Sequence, residues 1–486
     1  MLKKLLLSLG AGVFVLVGII LYRTAIFVPP EETKVEPVSQ VIDAQLVAAH
    51  LSQAVRFATV SQQPPIPTDM APFDGFIAWL SATYPEVHHG LSREILGGHT
   101  VLYKWAGKDA AAKPAMLTAH YDVVPVIPGT EQAWKHPPFA GDIADGYVWG
   151  RGTLDDKSAV VTILEAVTYL LKQGYTPQQT IYLSFGHDEE IGGLAGAAAV
   201  ADHLKAQKVR LAWSLDEGSF VLDGIVPGLP RPVASINVSE KGYLTLNITA
   251  HGAGGHSSMP PRETAVGILA QAIVALEKAP LPGGLDGLTG EAFTALARYM
   301  SFGKRVLFAN QWLFGALIGR ELAKSPSTNA MLRTTTAPTM LSGSIKENVL
   351  PIEATATVNF RLHPRDTPEQ VIEYVKKVIA DDRVSVTMLS GVGASRVAAL
   401  DSPAYLAMAK AVRQVFGDVV VMPGITIAAT DSKHYEAVSD NAYRFNPMMI
   451  TSQDLTGFHG TNERLSIENL VRATRFYIDL IKSDAH

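Results

Sequence analysis

The chain has 486 residues, and none of them is cysteine. Disulfide bonds, thiolate metal sites and cysteine nucleophiles are therefore excluded, which leaves histidine and the carboxylates as the good metal ligands. Charged residues make up only 18% of the chain, the net charge is −5, and no block of basic residues occurs. Because phosphate binding needs clustered Lys and Arg, no nucleic-acid partner is expected.

The N-terminus carries an uncharged apolar run over residues 5–22, directly after Lys3 and Lys4. The run is long enough to span a bilayer as a helix. A cleaved signal peptide is the alternative, but the run is longer than a usual signal and no Ala-x-Ala site follows it. We predict a transmembrane anchor over residues 1–27 and a linker over 28–40. The preceding lysines place the N-terminus in the cytoplasm and the remaining chain on the non-cytoplasmic side.

The body is long enough for two domains, and its first half alternates strands with helices. This alternation predicts an α/β fold with a largely parallel sheet flanked by helices. In such sheets ligands bind outside the carboxyl ends of the strands. The spacing of apolar residues predicts helices over 41–58, 73–84, 156–171 and 191–206, and strands over 101–105, 115–119, 180–185 and 211–215.

Acidic and histidine side chains follow three of these strands: His120 with Asp122, then Glu189 with Glu190, then Asp216. Each cluster alone is compatible with a purely structural role, as a strand-end histidine or a solvated acidic turn. Three clusters at one sheet edge favour a metal site instead. The adjacent glutamates point in different directions, so one can bind a metal while the other acts as a general base.

Two further segments complete this set. The glycine-rich turn over residues 148–157 delivers Asp155 to the start of a helix, and His459 lies in a loop before the last helix. A carboxylate such as Asp155 can bridge two metal ions. Nitrogen and oxygen ligands without sulfur suit zinc, with manganese or cobalt as substitutes.

Four motifs occur in a familiar order: TAHYDVVP at 118–125, GRGTLDDK at 150–157, DEEIGG at 188–193 and GHSS at 255–258. Together they resemble the aminoacylase/carboxypeptidase S family of dinuclear zinc hydrolases, over residues 45–486. The resemblance is closest to the carboxypeptidase S branch, which also contains secreted N-acyl-amino-acid hydrolases. It implies a zinc-exopeptidase-like fold and an active metallopeptidase.

The resemblance also implies a role for each position. Glu189 would be the general base, Asp122 would support His120, and the peptide bond after the bridging aspartate would be cis. Two zinc ions would be bound by five side chains, with Asp155 shared between them: His120, Asp155, Glu190, Asp216 and His459.

Residues 237–392 change in character, with alternating strands and amphipathic helices that suggest a small α+β sandwich. Its second helix begins with a capping box from Thr367 to Gln370. The resemblance makes this insertion a lid or dimerisation domain, between catalytic parts at 41–236 and 393–486. His256, Asn348 and Arg361 are its candidate substrate contacts, because a histidine can stabilise an oxyanion and an arginine fork can bind a carboxylate.

Within this insertion, the apolar segment 307–319 is too short to span a membrane. It is either a buried lid helix or an apolar wall, with Trp312 and Phe314, for the acyl group of a substrate. The expected function is a membrane-anchored zinc hydrolase that cleaves N-acyl amino acids or the C-terminal residue of small peptides, with a homodimer through the lid domain as a possibility. The alternative from another class is a catalytically silent binding protein on the same fold.

Overall fold

The computed structural model describes residues 2–30 and 35–485. The chain divides into two compact units, which are treated separately below. The large unit comprises Pro30–Val238, Val397–Thr426 and Thr430–His486, and the small unit comprises Met1–Pro29, Ser239–Arg396 and Ile427–Ala429.

The described residues form sixteen α-helices, which in chain order are α1 Leu2–Ile26, α2 Ala44–Val55, α3 Ala71–Thr83, α4 Pro85–Gly90, α5 Lys157–Lys172, α6 Ala197–Ala206, α7 Ala265–Lys278, α8 Gly287–Ala297, α9 Phe302–Ala309, α10 Gln311–Leu322, α11 Pro326–Leu332, α12 Pro368–Ile379, α13 Pro403–Phe416, α14 Ser432–Tyr435, α15 Ser452–Leu455 and α16 Ile467–Lys482.

The same residues form nineteen strands, which are β1 Ser92–Leu96, β2 Thr100–Trp105, β3 Ala115–His120, β4 Ile143–Ala144, β5 Tyr147–Trp149, β6 Ile181–Gly186, β7 Leu211–Asp216, β8 Val221–Leu222, β9 Val233–Glu240, β10 Gly242–His251, β11 Gly255–His256, β12 Thr335–Ser342, β13 Val349–Leu350, β14 Glu353–Leu362, β15 Val384–Val392, β16 Val420–Thr426, β17 Ser439–Arg444, β18 Met449–Ile450 and β19 Arg464–Ser466.

The large unit is built on a ten-stranded mixed sheet in the order β1-β2-β6-β3-β7-β17-β9-β8-β18, with β16 paired to β9. Its centre, β6-β3-β7-β17, is parallel, whereas the strands on either side run antiparallel. β3, β6 and β7 are buried along almost their whole length, as expected for strands covered on both faces. The predicted α/β class with a mixed, largely parallel sheet is confirmed.

Helices cover both faces of this sheet. The connection from β3 to β6 contains α5 and moves towards one edge of the sheet, whereas the connection from β6 to β7 contains α6 and moves towards the other edge. Because such crossovers are right-handed, the two helices lie on opposite faces of the sheet. α5 packs on β3 and is covered in turn by α2 and α16. On the other face, Val200 and Leu204 of α6 and Tyr435 of α14 pack against Met116 and Tyr182 of the sheet.

The small unit contains a four-stranded antiparallel sheet in the order β12-β14-β10-β15. Residues of β14 alternate between buried and more exposed along its whole length, because one face packs on α7 and α12. The predicted capping box at the start of α12 is confirmed, with Thr367 and Gln370 each bonded to the other's backbone. Among the described residues, α1 is the one helix long and apolar enough to cross a membrane, over Lys3–Ile26.

Two helix predictions were wrong. The helix expected over residues 191–206 begins only at Ala197, because Gly192 and Gly193 have positive φ angles and end a short 3-10 turn. The segment 307–319 is not one buried helix: it breaks at Asn310 into α9 and α10, and Ile318 is the buried residue of α10. The break follows from the backbone of Asn310, whose φ of −122° lies outside the helical range.

Candidate metal centre

The turn between β5 and α5 places Asp155 at the centre of the large unit's sheet edge. Gly150 and Gly152 adopt positive φ angles of 143° and 90°. A Cβ atom at residue 152 would lie 2.8 Å from Cγ1 of Val123, so the close packing of this turn needs glycine. The peptide bond between Asp155 and Asp156 is cis, as the resemblance implies.

Asp155 lies between two histidines from distant parts of the chain. Its Oδ1 is 2.9 Å from Nε2 of His120, and its Oδ2 is 2.9 Å from Nε2 of His459. Each carboxylate oxygen therefore faces a different histidine. This is the arrangement that a carboxylate needs in order to bridge two cations.

A glutamate stands beside each histidine. Glu217 Oε1 is 3.4 Å from Nε2 of His120, and Glu190 Oε2 is 3.4 Å from Nε2 of His459. Two groups of potential ligand atoms result, each with its atoms within 4.8 Å of one another: His120, Glu189 and Glu217 in one, and Asp155, Glu190 and His459 in the other.

Two adjacent carboxylates lie at the third strand end. The sequence predicts Asp216 as the ligand there, and the structure places its neighbour Glu217 beside His120. β7 stays paired with β17 as far as Asp216, opposite Arg444, and Glu217 is the first residue beyond the strand, where strand alternation no longer fixes the direction of a side chain. Asp216 is buried and accepts a hydrogen bond from the backbone N–H of Glu217 through Oδ1, at 3.0 Å.

We expect Glu217→Gln to reduce bound metal from two ions to one per chain, because the ion beside His120 loses a charged ligand. Asp216→Asn is the matched variant, and it should retain both ions. Metal analysis of the two purified variants distinguishes the assignments. Loss of an ion from Asp216→Asn but not from Glu217→Gln would assign the ligand to Asp216, as the sequence predicts.

Asp122 holds both neighbouring groups in place. Its Oδ1 lies 3.3 Å from Nδ1 of His120 and accepts the backbone N–H of Glu189 at 3.1 Å. Its Oδ2 accepts the backbone N–H of Glu190 at 3.1 Å and the hydroxyl of Ser61 at 2.7 Å. The fully buried carboxylate thus orients the histidine ring and the turn that carries both glutamates.

The glutamates of this centre are largely buried and lie close to other carboxylates. Burial raises the pKa of Glu189 well above its usual value, and the charges of Glu217 and Asp431 raise it further. Burial and Asp155 together raise the pKa of Glu217 to about 8. The pKa of Glu190 is raised for the same two reasons. Protein cations alone do not neutralise this cluster.

In His459 the neighbouring carboxylates favour the charged form of the side chain. Its hydrogen bonds with Asp155 and Glu190 raise the pKa of His459 to about 10. Burial acts to raise the pKa of Asp155, but its bonds with His120 and His459 outweigh burial and hold that pKa below its usual value. The shared carboxylate is therefore ionised at neutral pH and ready to bind cations.

These residues fit divalent metal ions. Oε1 of Glu190 is buried and accepts no hydrogen bond from any residue that the structure describes. A buried carboxylate oxygen in that position needs a partner, and the surrounding carboxylates favour a cation. Imidazole and carboxylate ligands without sulfur suit zinc best among the common ions, with manganese or cobalt as substitutes.

A buried ion pair that sequence analysis missed connects the two loops of the centre. Arg151 Nη1 donates to Oε2 of Glu463 at 2.7 Å, and its Nη2 donates to the carbonyl of Gly460 at 3.0 Å, next to His459. The other oxygen, Oε1, accepts the backbone N–H of Leu154 at 2.8 Å, next to Asp155. The pair therefore fixes the loop of one histidine against the loop of the shared aspartate.

We expect Glu463→Gln to cost about 3–5 kcal/mol, because it leaves the guanidinium of Arg151 buried without its counter-charge. The midpoint of thermal unfolding should fall by several degrees, and bound metal should fall with it. Glu468→Gln is the matched control, since Glu468 forms an exposed pair with Arg472 that is worth at most about 1 kcal/mol. Equal unfolding midpoints for the two variants would contradict this role of Glu463.

The three predicted substrate contacts all belong to the small unit. His256 lies in β11 and is exposed, and the backbone N–H of the next residue, Ser257, donates to the carbonyl of Asn348 at 3.1 Å. His256 and Asn348 are thus close neighbours. Arg361 lies on β14 with its guanidinium 4.9 Å from the ring centre of Tyr243 on the paired strand. Their roles toward substrate stay predictions.

Known proteins are similar to this chain in sequence. A profile described as peptidase family M20/M25/M40 matches residues 116–483. The chain is 39% identical to the N-fatty-acyl-amino acid synthase/hydrolase PM20D1 of Xenopus tropicalis, over 99% of this chain and 95% of the relative. It is 41% identical to a probable carboxypeptidase S-like protein 2 of Dictyostelium discoideum, over 90% and 85% of the two chains.

Solved structures share the fold. The M20 family metallo-carboxypeptidase Sso-CP2 of Sulfolobus solfataricus superposes with a TM-score of 0.63 and 19% identity, over 90% of this chain and 99% of that one. At this identity the likeness concerns the fold alone.

Proposed function

This chain belongs to the M20/M25/M40 peptidase family and is a metal-dependent hydrolase, and from this we propose that it cleaves the amide bond of N-acyl amino acids at two zinc ions. The observation that carries the proposal is the position of Asp155 between His120 and His459, each with its own glutamate. The proposed ligands are these three residues together with Glu190 and Glu217, and the adjacent Asp216, predicted from the sequence, is the alternative to Glu217.

The relatives support this substrate class. A relative that matches 99% of the chain is named an N-fatty-acyl-amino acid synthase/hydrolase, and others are carboxypeptidases. Both kinds of substrate have an acyl group on the amine of an amino acid whose carboxylate is free. We propose that long-chain N-acyl amino acids are preferred, with small peptides cleaved at their C-terminal residue as the second activity.

The protein's own contribution to the reaction centres on Glu189. When bound, the metal ions supply a Lewis acid for the amide carbonyl and acidify the attacking water. Glu189 takes the proton of that water as the new C–O bond forms, and gives it to the leaving amine nitrogen as the C–N bond breaks. Burial raises the pKa of Glu189, in the direction that helps one carboxyl group both to take up and to return a proton.

The small unit is proposed to bind the rest of the substrate. Arg361 offers two parallel N–H donors to the free carboxylate, and the ring of Tyr243 limits the orientations of its guanidinium. His256 and Asn348 are proposed to donate to the carbonyl oxygen of the scissile amide as negative charge develops there. A homodimer through the small unit remains part of the proposal.

The N-terminal helix is proposed to anchor the enzyme in a membrane. It has 24 residues of suitable length and composition, and none of the residues in its most apolar 18-residue window is buried. The positive-inside rule, applied to Lys3 and Lys4, supports a cytoplasmic start of this helix and a non-cytoplasmic position for the chain that follows it. A catalytically silent binding protein is not favoured, because the ligand set and the general base are both complete.

The full-length protein, purified in detergent and loaded with zinc, tests the proposal on matched substrates. These are an N-oleoyl amino acid, the N-acetyl form of the same amino acid, a dipeptide, and the methyl ester of each. We expect release of the free amino acid from the free acids, fastest from the N-oleoyl compound, and little from the esters. Equal cleavage of acids and esters would contradict recognition of a free carboxylate.

A further inference from the structure

The carboxyl end of α1 is bound firmly by helices of its own unit. Arg305 of α9 donates through Nε to the carbonyl of Phe27 at 2.9 Å and through Nη2 to the carbonyl of Thr24 at 3.1 Å. Asn310, between α9 and α10, donates to the carbonyl of Ile20 at 3.3 Å. Thr24 and Asn310 are fully buried in this contact. The last two turns of α1 are therefore part of the folded small unit and not a loose tether.

The rest of α1 is bare. Its apolar side chains from Leu5 to Val17 are exposed, apart from the partly covered Leu16, and the 24 residues span about 36 Å at 1.5 Å per residue. A hydrocarbon core is about 30 Å thick, which corresponds to about 20 residues. If α1 enters a bilayer at Leu5, it leaves the hydrocarbon near Thr24, about one turn beyond the contact of Asn310 with Ile20.

A second apolar face begins directly after this contact. In α10, Trp312, Leu313 and Leu317 are 57%, 44% and 48% exposed, and Ala316 lies exposed among them. The spacing of three and four residues places these side chains on one face of the helix. The opposite face packs through Ile318 on a core that includes Phe293, Phe308 and Leu332. The helix thus turns its largest apolar side chains outward, two residues beyond the point bonded to α1.

The segment that contains α10 is predominantly basic, although Lys324 is paired with Glu321 and Arg305 is bonded to the end of α1. Residues 298–324 contain Arg298, Lys304, Arg305, Arg320 and Lys324 against one acid, Glu321. A helix with an aromatic and aliphatic face and a basic border is typical of segments that lie in the interface of a membrane with anionic lipids. Tryptophan is enriched at this depth, since its ring is apolar and its N–H is polar.

We propose that α10 lies in the surface of the same bilayer that α1 spans, with Trp312, Leu313 and Leu317 inserted among the lipids. The proposal rests on the anchoring role proposed above for α1. The partner is a phospholipid bilayer with anionic headgroups. It follows that the small unit has one fixed orientation on the membrane. The enzyme would then bind substrates with long acyl chains at the surface of the bilayer in which those substrates are dissolved.

Because the chain has no cysteine, single labels test the proposal in the full-length protein. Val15→Cys, Leu313→Cys, Leu317→Cys and Ile345→Cys each accept an environment-sensitive fluorophore. Ile345 is the matched control, an apolar residue of the same unit that is 100% exposed and lies outside α8–α11. The labelled proteins are reconstituted into vesicles of phosphatidylcholine and phosphatidylglycerol.

We expect nitroxide-labelled lipids to quench the labels at residues 15, 313 and 317 and to leave the label at 345 unquenched, with aqueous iodide giving the reverse order. Quenching by lipid at 15 but not at 313 or 317 would overturn the proposal and leave the anchor standing. Iodide access at all four positions would contradict both. If the labels at 313 and 317 are shielded by an added N-oleoyl amino acid instead of by lipid, the face binds substrate. If they are shielded only when the protein density is raised, the face binds a second copy of the chain. Either result would overturn the proposal.

Discussion

We expect Glu189→Gln to bind as much metal as the unaltered protein, two ions per chain in the proposed centre, and to hydrolyse N-acyl amino acids about 10³-fold more slowly. The amide keeps the size of the side chain and its backbone bond to Asp122, but it cannot take a proton from water. Glu189 is not one of the five proposed ligands, so metal content should hold. Measured together, metal content and kcat separate proton transfer from metal binding.

The matched control for this variant is Glu131→Gln, which removes one exposed carboxylate of the same unit. It should leave both kcat and metal content unchanged. A kcat of Glu189→Gln within a factor of ten of the unaltered enzyme would remove Glu189 as the base. Loss of one metal ion along with activity would make it a ligand, since its carboxylate lies within the group formed with His120 and Glu217.

Asp155→Asn should lose both metal ions and all measurable hydrolysis. Each oxygen of Asp155 faces a different histidine, so one substitution removes a charged ligand from two sites at once. No other proposed ligand is shared, and substitution of any one of them should affect one ion alone. This is the sharpest difference in metal content that the geometry predicts.

The effect can be read without assaying activity. A ligand that binds only the folded state at 100 times its dissociation constant stabilises that state by about 2.7 kcal/mol. Added zinc should therefore raise the unfolding midpoint of the unaltered protein and not that of Asp155→Asn. Asp223→Asn, at an exposed position of the same unit, should behave like the unaltered protein. An equal zinc response in Asp155→Asn would contradict the shared role.

The sequence was most informative at the strand ends. His120, Glu189 and Glu190 could be placed at one edge because parallel strands present their carboxyl ends together, and β3 and β6 end as expected. The choice between Asp216 and Glu217 could not be made in this way. The two are adjacent, and the side-chain direction depends on how the chain leaves β7, which no pattern of apolar residues encodes.

Contacts between residues far apart in the chain could not be predicted from the sequence for a related reason. Arg151 and Glu463 are 312 residues apart, and nothing local indicates that their loops meet. The pattern of α10 also predicted a helix without revealing which face would be covered. Burial of Ile318 and exposure of Trp312 depend on the packing of α8, α9 and α11 around it.

In the proposed centre one aspartate, Asp155, joins two metal ions in the large unit. Anomalous X-ray scattering at the zinc edge, from crystals of the full-length protein grown with zinc, tests it most directly. We expect two anomalous peaks on either side of Asp155, one beside His120 and Glu217 and the other beside Glu190 and His459. A single peak, or peaks that do not contact Asp155, would contradict it.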